Sequence, residues 1–214
     1  MQEHWDIFSK DEFFQFNLAW LTAVCRIVKP NGNILVFGTY HNIYQIGFIL
    51  QNILNRRILN SVIWFKPNAQ PNITARTLTE STEQMIWAVN ETPERAKHWT
   101  FNYWLAKELA GGKQMRTVWA FNTGEGAAPY NLWEIPCTLA SERKHGKHPS
   151  QKPKALLDHI MQIATNTGDL ILDCFGGTGT TALSALKFSR KYVLIESSEE
   201  YCKIARQRLS GAMI

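Results

Sequence analysis

The stretch ILDCFGGTGTTALSALKFSRKYVLIE, residues 171–196, decides how the rest of the chain reads. It passes from a β-branched apolar segment through a Gly/Thr loop and a helical stretch to a second apolar run that ends in an acid. The pattern predicts a strand over 170–174, a helix from about Thr180 and a further strand. Gly176, Gly177 and Gly179 permit positive φ and close backbone approach to a ligand. The helix start offers free N–H groups and a positive dipole end, which suit a carboxylate or phosphate. Glu196 falls 196 − 173 = 23 residues after Asp173, near the spacing of an acid that holds ribose hydroxyls in nucleoside-binding α/β units.

Four readings of this loop compete. An ATP-binding P-loop needs Gly-Lys-Ser/Thr, whereas Gly179 is followed by Thr180 and Thr181 with no lysine. A dinucleotide loop takes Gly177 and Gly179 as its first two glycines and Ala182 as a permitted variant of the third, although Asp173 ahead of the loop is less typical. An S-adenosylmethionine site sets the loop at the methionine end and the acid on the ribose. A plain βα turn followed by a surface glutamate is the fourth. The loop alone leaves the matter open.

Composition narrows the classes. With 214 residues, 45% hydrophobic and 19% charged, the chain is long enough for one domain with a sizeable core, or one domain with an insertion. Lys plus Arg number 23 and Asp plus Glu 18, a net charge of +5 that suits a polyanionic partner or an ordinary basic enzyme equally. Cys25, Cys137, Cys174 and Cys202 form no C-x-x-C pair and no zinc-type spacing, so they read as reduced thiols in a cytoplasmic protein. Glu3, His4 and Asp6 interrupt any secretory signal, and no apolar run reaches the roughly 18 residues of a membrane span, so no membrane partner is expected.

Along the chain, Ser9 and Glu12 form a capping-box pattern that opens a helix, with Phe13, Phe16, Trp20, Val24 and Ile27 as its predicted buried stripe and Pro30, Asn31 and Gly32 as its stop. A strand with two buried faces over 33–40, a helix over 42–54, a strand over 60–67, a polar loop over 68–81 and a strand over 83–90 follow. Residues 91–147 break this rhythm. They hold Trp99, Trp104, Trp119, Trp133 and the turn-rich NTGEGAAPYN (122–131), and read as an insertion with a small core of its own, to which Trp119 and Trp133 belong unless they serve as base-stacking platforms. Alternation resumes with a helix capped by Ser150 whose apolar face is Leu156, Leu157, Ile160 and Ile163, and the chain closes with a helix over 198–209. The fold class is α/β.

HPSQKP (148–153), DLILDCFGGTGTT (169–181) and RKYVLIE (190–196) together resemble the amino-group DNA methyltransferases, whose pattern is His-Pro-Thr/Ser-Gln-Lys-Pro, then Asp-Pro-Phe-x-Gly-Ser-Gly-Thr-Thr, then an apolar strand ending in Gly-x-Glu. Cys174, Thr178 and Leu194 depart from it, and none of the three removes a charged group. The order of the segments, with NILVFG (33–38) and the stretch over 42–72, resembles the β-type permutation of HinfI-like modification methylases. The resemblance implies a Rossmann-like methyltransferase sheet in permuted order. Residues 1–90 are then a remnant of the catalytic half, incomplete at its N-terminus, 91–147 a target-recognition region and 148–214 the S-adenosylmethionine half. It implies cofactor contacts at Ser150, Lys152, Asp173, Phe175, Gly177, Gly179, Thr180, Thr181 and Glu196. It places phosphate contacts to double-stranded DNA on Lys113, Arg116, Arg143, Lys144 and Lys147, with a merely solvated basic loop as the alternative. NAQPN (68–72) is a further DNA-proximal candidate. The activity implied is methyl transfer to the exocyclic amino group of adenine, before cytosine, within a bacterial or phage-encoded restriction-modification system. A homodimer and a restriction endonuclease encoded nearby are the further partners it allows.

One motif of that family is not found. Asp/Asn/Ser-Pro-Pro-Tyr/Phe presents the flipped base, and the sequence contains no Pro-Pro pair; AAPY (127–130) has neither acid nor amide. The expectation is a chain truncated at its N-terminus and inactive, with a gap where the strand that leads into this motif belongs. A non-catalytic remnant that keeps cofactor or DNA binding, or one part of a split enzyme, is the alternative. An NAD-dependent oxidoreductase stands behind both.

Overall fold

Ser9 opens the first helix as its side chain dictates. In the computed structural model, which describes residues 8–69, 71–74, 76–119 and 137–211 (backbone alone for 118–119), the Ser9 hydroxyl accepts from Glu12 N–H at 3.3 Å and the Glu12 carboxylate accepts from Ser9 N–H at 2.8 Å. This reciprocal box satisfies two N–H groups at the start of α1 (Lys10–Ile27). The expected stripe is displaced. Asn17, Leu21 and Val24 form the buried face, while Phe16 and Ile27 lie exposed and Phe16 stacks on Phe8. Asn17 occupies the buried row because its amide is used twice, donating to Gln45 and accepting from Trp20 Nε1.

β1 (Asn33–Gly38) follows, then α2 (Ile43–Phe48), which continues as a π-helical turn over Ile49–Ile53. β2 (Arg57–Phe65) and β3 (Thr82–Val89) come next. β3 lies between β1 and β2. It pairs antiparallel with β1, Asn33 opposite Val89 and Gly38 opposite Gln84. β1 is mostly half-buried rather than covered on both faces. Asn90 ties strand to helix, its amide donating to the Cys25 and Val28 carbonyls at the end of α1.

The chain divides into two compact units, residues 1–64 with 82–99, and residues 65–81 with 100–214. The first encloses Leu21, Ile43, Ile49, Leu50, Met85 and Val89. The second is built on α4 (Lys154–Ala164), whose Leu156, Leu157, Ile160 and Ile163 are buried as the sequence predicts. Each such side chain contributes about 1.5–3 kcal/mol, as an upper estimate. α3 (Tyr103–Leu109) is pinned to the end of α4 by Asn102, whose N–H donates to Ile163 and whose amide donates to Gln162 and Thr165. Trp104 on α3 is 76% exposed, so it is not part of a core in the expected insertion. β4 (Val118–Trp119) is two residues long. Trp133, the Trp119 side chain, residues 122–131 and the first seven residues fall outside the described set.

β5 (Leu170–Asp173) and β6 (Lys191–Leu194) pair in parallel, Asp173 opposite Leu194, with α5 (Thr180–Lys187) between them in sequence and α6 (Glu199–Ser210) last. No ladder joins this pair to β1, β3 and β2 among the described residues. Arg190 closes the C-terminus of α4, donating to the Met161 and Thr165 carbonyls that the helix leaves unpaired. Burial raises the Asp158 carboxyl pKa, but hydrogen bonds from Lys187 and Lys154 outweigh it and hold the group below its ordinary value.

Candidate functional site

The loop that leaves β5 is stitched to β6 by backbone. Ile195 N–H donates to Asp173, and Gly176 N–H donates back to Ile195 at 2.8 Å. Asp173 then organises the turn. One carboxylate oxygen accepts from Phe175 N–H at 3.0 Å, the other from the Thr181 hydroxyl at 2.6 Å. Gly177 and Gly179 sit at φ +50° and +80°, a region that strains any other residue. Gly176 has an ordinary φ, yet a side chain there would run into Leu194.

Glu196 turns back onto this loop. Gly177 N–H donates to one of its oxygens and Ser198 N–H to the other, both at 2.8 Å. The acid and the glycine loop, 19 residues apart, therefore share one place at the carboxyl ends of β5 and β6. α5 begins there with Gly179 as N-cap and no side-chain cap, so its first N–H groups have no side-chain acceptor from that residue. Phe175 presents its ring beside the loop, 56% exposed. Backbone donors, a fixed carboxylate and an exposed ring suit a ligand that carries a carboxylate, vicinal hydroxyls and an aromatic base.

The HPSQKP segment contributes differently from expectation. Ser150 does not cap α4; the N-cap is Pro153, and the Ser150 hydroxyl lies 3.2 Å from His148 Nδ1. Lys152 Nζ donates to the Ser150 carbonyl at 3.0 Å. His148, the first residue of that segment though not one of the expected cofactor contacts, packs edge-on against Tyr201, and its ring lies where a side chain on Gly177 would come into ordinary van der Waals contact with it. Thr180 and Thr178 are buried, and Arg208 of α6 donates to both hydroxyls. Arg208 was also passed over, although helical spacing sets it among Ile204, Ala205 and Leu209 on the buried face of α6, a position that marks an arginine as unusual.

Among the basic candidates, Lys113, Arg116, Lys144 and Lys147 are exposed and Arg143 is half-buried. Both of their segments are anchored to the α4 region. His159 Nε2 lies 3.3 Å from Met115 Sδ, and Lys154 N–H donates to the Glu142 carboxylate at 2.9 Å. Burial lowers the His159 pKa to about 4, so the ring is neutral at pH 7.

Residues 2–207 match the N6/N4 methyltransferase family model, described as "DNA methylase". The chain is 40% identical to the type II methyltransferase M2.DpnII of Streptococcus pneumoniae over 208 residues, 97% of this chain and 71% of that protein. It is 41% identical to M2.LlaDCHI of Lactococcus lactis subsp. cremoris over 207 residues, 96% of this chain and 71% of that protein. Among solved structures, the M1.HpyAVI–SAM complex superposes with a TM-score of 0.70 at 29% identity, covering 94% of this chain and 85% of that one. The cytosine-N4-specific PvuII methyltransferase shares the fold with a TM-score of 0.72 at 20% identity, over 97% of this chain and 74% of that one.

Proposed function

The chain belongs to the N6/N4 DNA methylase family, and from that premise we propose that it serves site-specific methyl transfer from S-adenosylmethionine to the exocyclic amino group of adenine in double-stranded DNA. The observation that carries this reading is the 2.8 Å bond from Gly177 N–H to Glu196, which sets a ribose-type acid beside an uncapped helix start. Each Glu196 oxygen accepts one backbone N–H and keeps lone-pair capacity for ribose hydroxyls. The Gly177–Thr181 backbone takes the methionine carboxylate. Asp173 shapes the turn, Phe175 offers a stacking face, and Ser150 and Lys152 border the site through His148. When bound, the cofactor supplies an electrophilic methyl group on sulfonium sulfur.

On this reading residues 1–90 are a remnant of the catalytic half, 91–147 the target-recognition region and 148–214 the cofactor half. Lys113, Arg116, Arg143, Lys144 and Lys147 meet DNA phosphates. A HinfI-like arrangement favours adenine over cytosine. A restriction endonuclease of the same site is the partner this reading carries, with the bacterial cytoplasm as the place of action. The acceptor base needs an Asp/Asn/Ser-Pro-Pro-Tyr/Phe segment, and these 214 residues contain no Pro-Pro pair. We therefore expect the 214-residue chain to bind S-adenosylmethionine by calorimetry yet transfer no labelled methyl group to DNA. A Glu196→Gln variant should weaken binding about tenfold, as expected for losing a charged hydrogen-bond acceptor. Robust transfer by the chain alone would refute the need for that motif. Absence of binding would refute the cofactor assignment.

A further inference from the structure

Arg208 is a guanidinium in an apolar row. It lies on the buried face of α6 with Ile204, Ala205 and Leu209, and is 9% exposed. Desolvating such a charge is costly, and a well-packed apolar residue serves packing at least as well. Its Nη1 donates to the Thr178 carbonyl and hydroxyl, each at 2.7 Å, and to the Thr180 hydroxyl at 3.1 Å. All three acceptors belong to the glycine loop, on either side of the left-handed Gly179 that caps α5. Burial lowers the Arg208 pKa, and the negative charge of Glu142 works against that shift.

The two hydroxyls explain why the loop needs this partner. Short Ser and Thr hydroxyls beside a helix start readily accept from first-turn backbone N–H groups. Those are the same donors that a ligand carboxylate requires. A guanidinium has donors and no acceptor, so it commits the oxygens of Thr178 and Thr180 as acceptors and turns them inward. The Thr181 hydroxyl is held in the opposite sense, donating to the Asp173 carboxylate at 2.6 Å. With all three threonines occupied, the loop presents backbone rather than side chain.

We propose that Arg208 is a positioning residue of the cofactor loop, holding Thr178 and Thr180 so that the N–H groups at the start of α5 stay open to the methionine carboxylate of S-adenosylmethionine. This rests on the cofactor assignment made above. The test compares the wild-type chain with Arg208→Met and Arg208→Lys at a temperature where all three are folded. Binding of S-adenosylmethionine and of methylthioadenosine, which lacks the amino-acid carboxylate, is measured by calorimetry. Hydrogen exchange is followed at amides 177–182 without ligand. Arg208→Met should lose about tenfold or more in affinity for S-adenosylmethionine, the loss of one charged hydrogen bond, while methylthioadenosine binding stays within about twofold of wild type. Exchange at 177–182 should quicken. Arg208→Lys, which keeps the charge without the fork, should fall between. Equal loss for both ligands, or wild-type affinity with unchanged exchange, overturns the positioning role while leaving the cofactor assignment intact. Failure of the wild-type chain to bind either ligand overturns both.

Discussion

Gly176 and Leu194 exchange sizes. The resemblance sets any residue at position 176 and glycine at 194, whereas here the leucine fills the space that a side chain on 176 would need. Gly176→Ala should therefore destabilise by about 1–3 kcal/mol, an overpacking cost. Adding Leu194→Ala should recover part of that loss, giving a favourable coupling in a double-mutant cycle read by urea unfolding. Independent losses would show that the two sites do not compete for one space. His159 sets a second expectation at this scale. Its folded pKa of about 4 lies below the ordinary value of 6.5, so the unfolded chain takes up the proton first as pH falls. Stability contributed by the neutral ring is present above pH 6.5 and is lost on acidification toward pH 4. Between pH 7 and pH 5 the loss is about 2 kcal/mol by linkage. Unfolding of His159→Gln should show a correspondingly shallower pH dependence over that window. A parallel dependence in the two proteins would remove His159 from the account.

Elements separate what local chemistry fixes from what packing fixes. The Ser9–Glu12 box was legible because both partners lie within four residues and the bonds they make are local. Ser9→Ala should lower stability by about 1 kcal/mol, read from the urea midpoint; no change would mean that the first turn frays in solution. The stripe on the same helix was misread because Asn17 counts as polar by type and is buried by virtue of its partners Gln45 and Trp20, 28 and three residues away. Ser150 misled for the opposite reason. It has the right residue type for a cap, but Pro153 enters the helix start and the hydroxyl lies against His148 instead. The π-helical turn over Ile49–Ile53 carries no local signal, since its residues read as ordinary continuation of α2. In the site, the loop, Asp173 and Glu196 were readable from spacing along βαβ. Helical spacing puts Arg208 in an apolar row and the HPSQKP motif contains His148, but their partners, the Thr178 carbonyl and the Tyr201 ring, are tertiary neighbours that spacing does not name.

At the scale of the whole molecule, charge and strand pairing matter. The net charge of +5 is mild, so DNA affinity on the proposed reading rests on local groups such as Lys144 and Lys147. Replacing both with alanine should weaken binding to all duplex sequences alike and reduce the slope of log K against log salt by about 2. A loss confined to one sequence would instead make them base-reading residues. The α/β class was legible from alternation, but the pairing was not: β1 and β3 run antiparallel, and β5 with β6 forms a separate pair. Strand partners lie far apart in sequence, and apolar runs look alike whichever way they run. β1 ends the row β1, β3, β2, and β5 has β6 as its one strand partner among the described residues, with Leu170, Val193 and Ile195 exposed nearby. A row of backbone donors and acceptors flanked by such side chains is a template for adding strands. In a test tube this chain should thus be governed by concentration: clear and monodisperse when dilute, it should grow in scattered light on standing at high protein, and a short β-forming peptide added in excess should slow that growth.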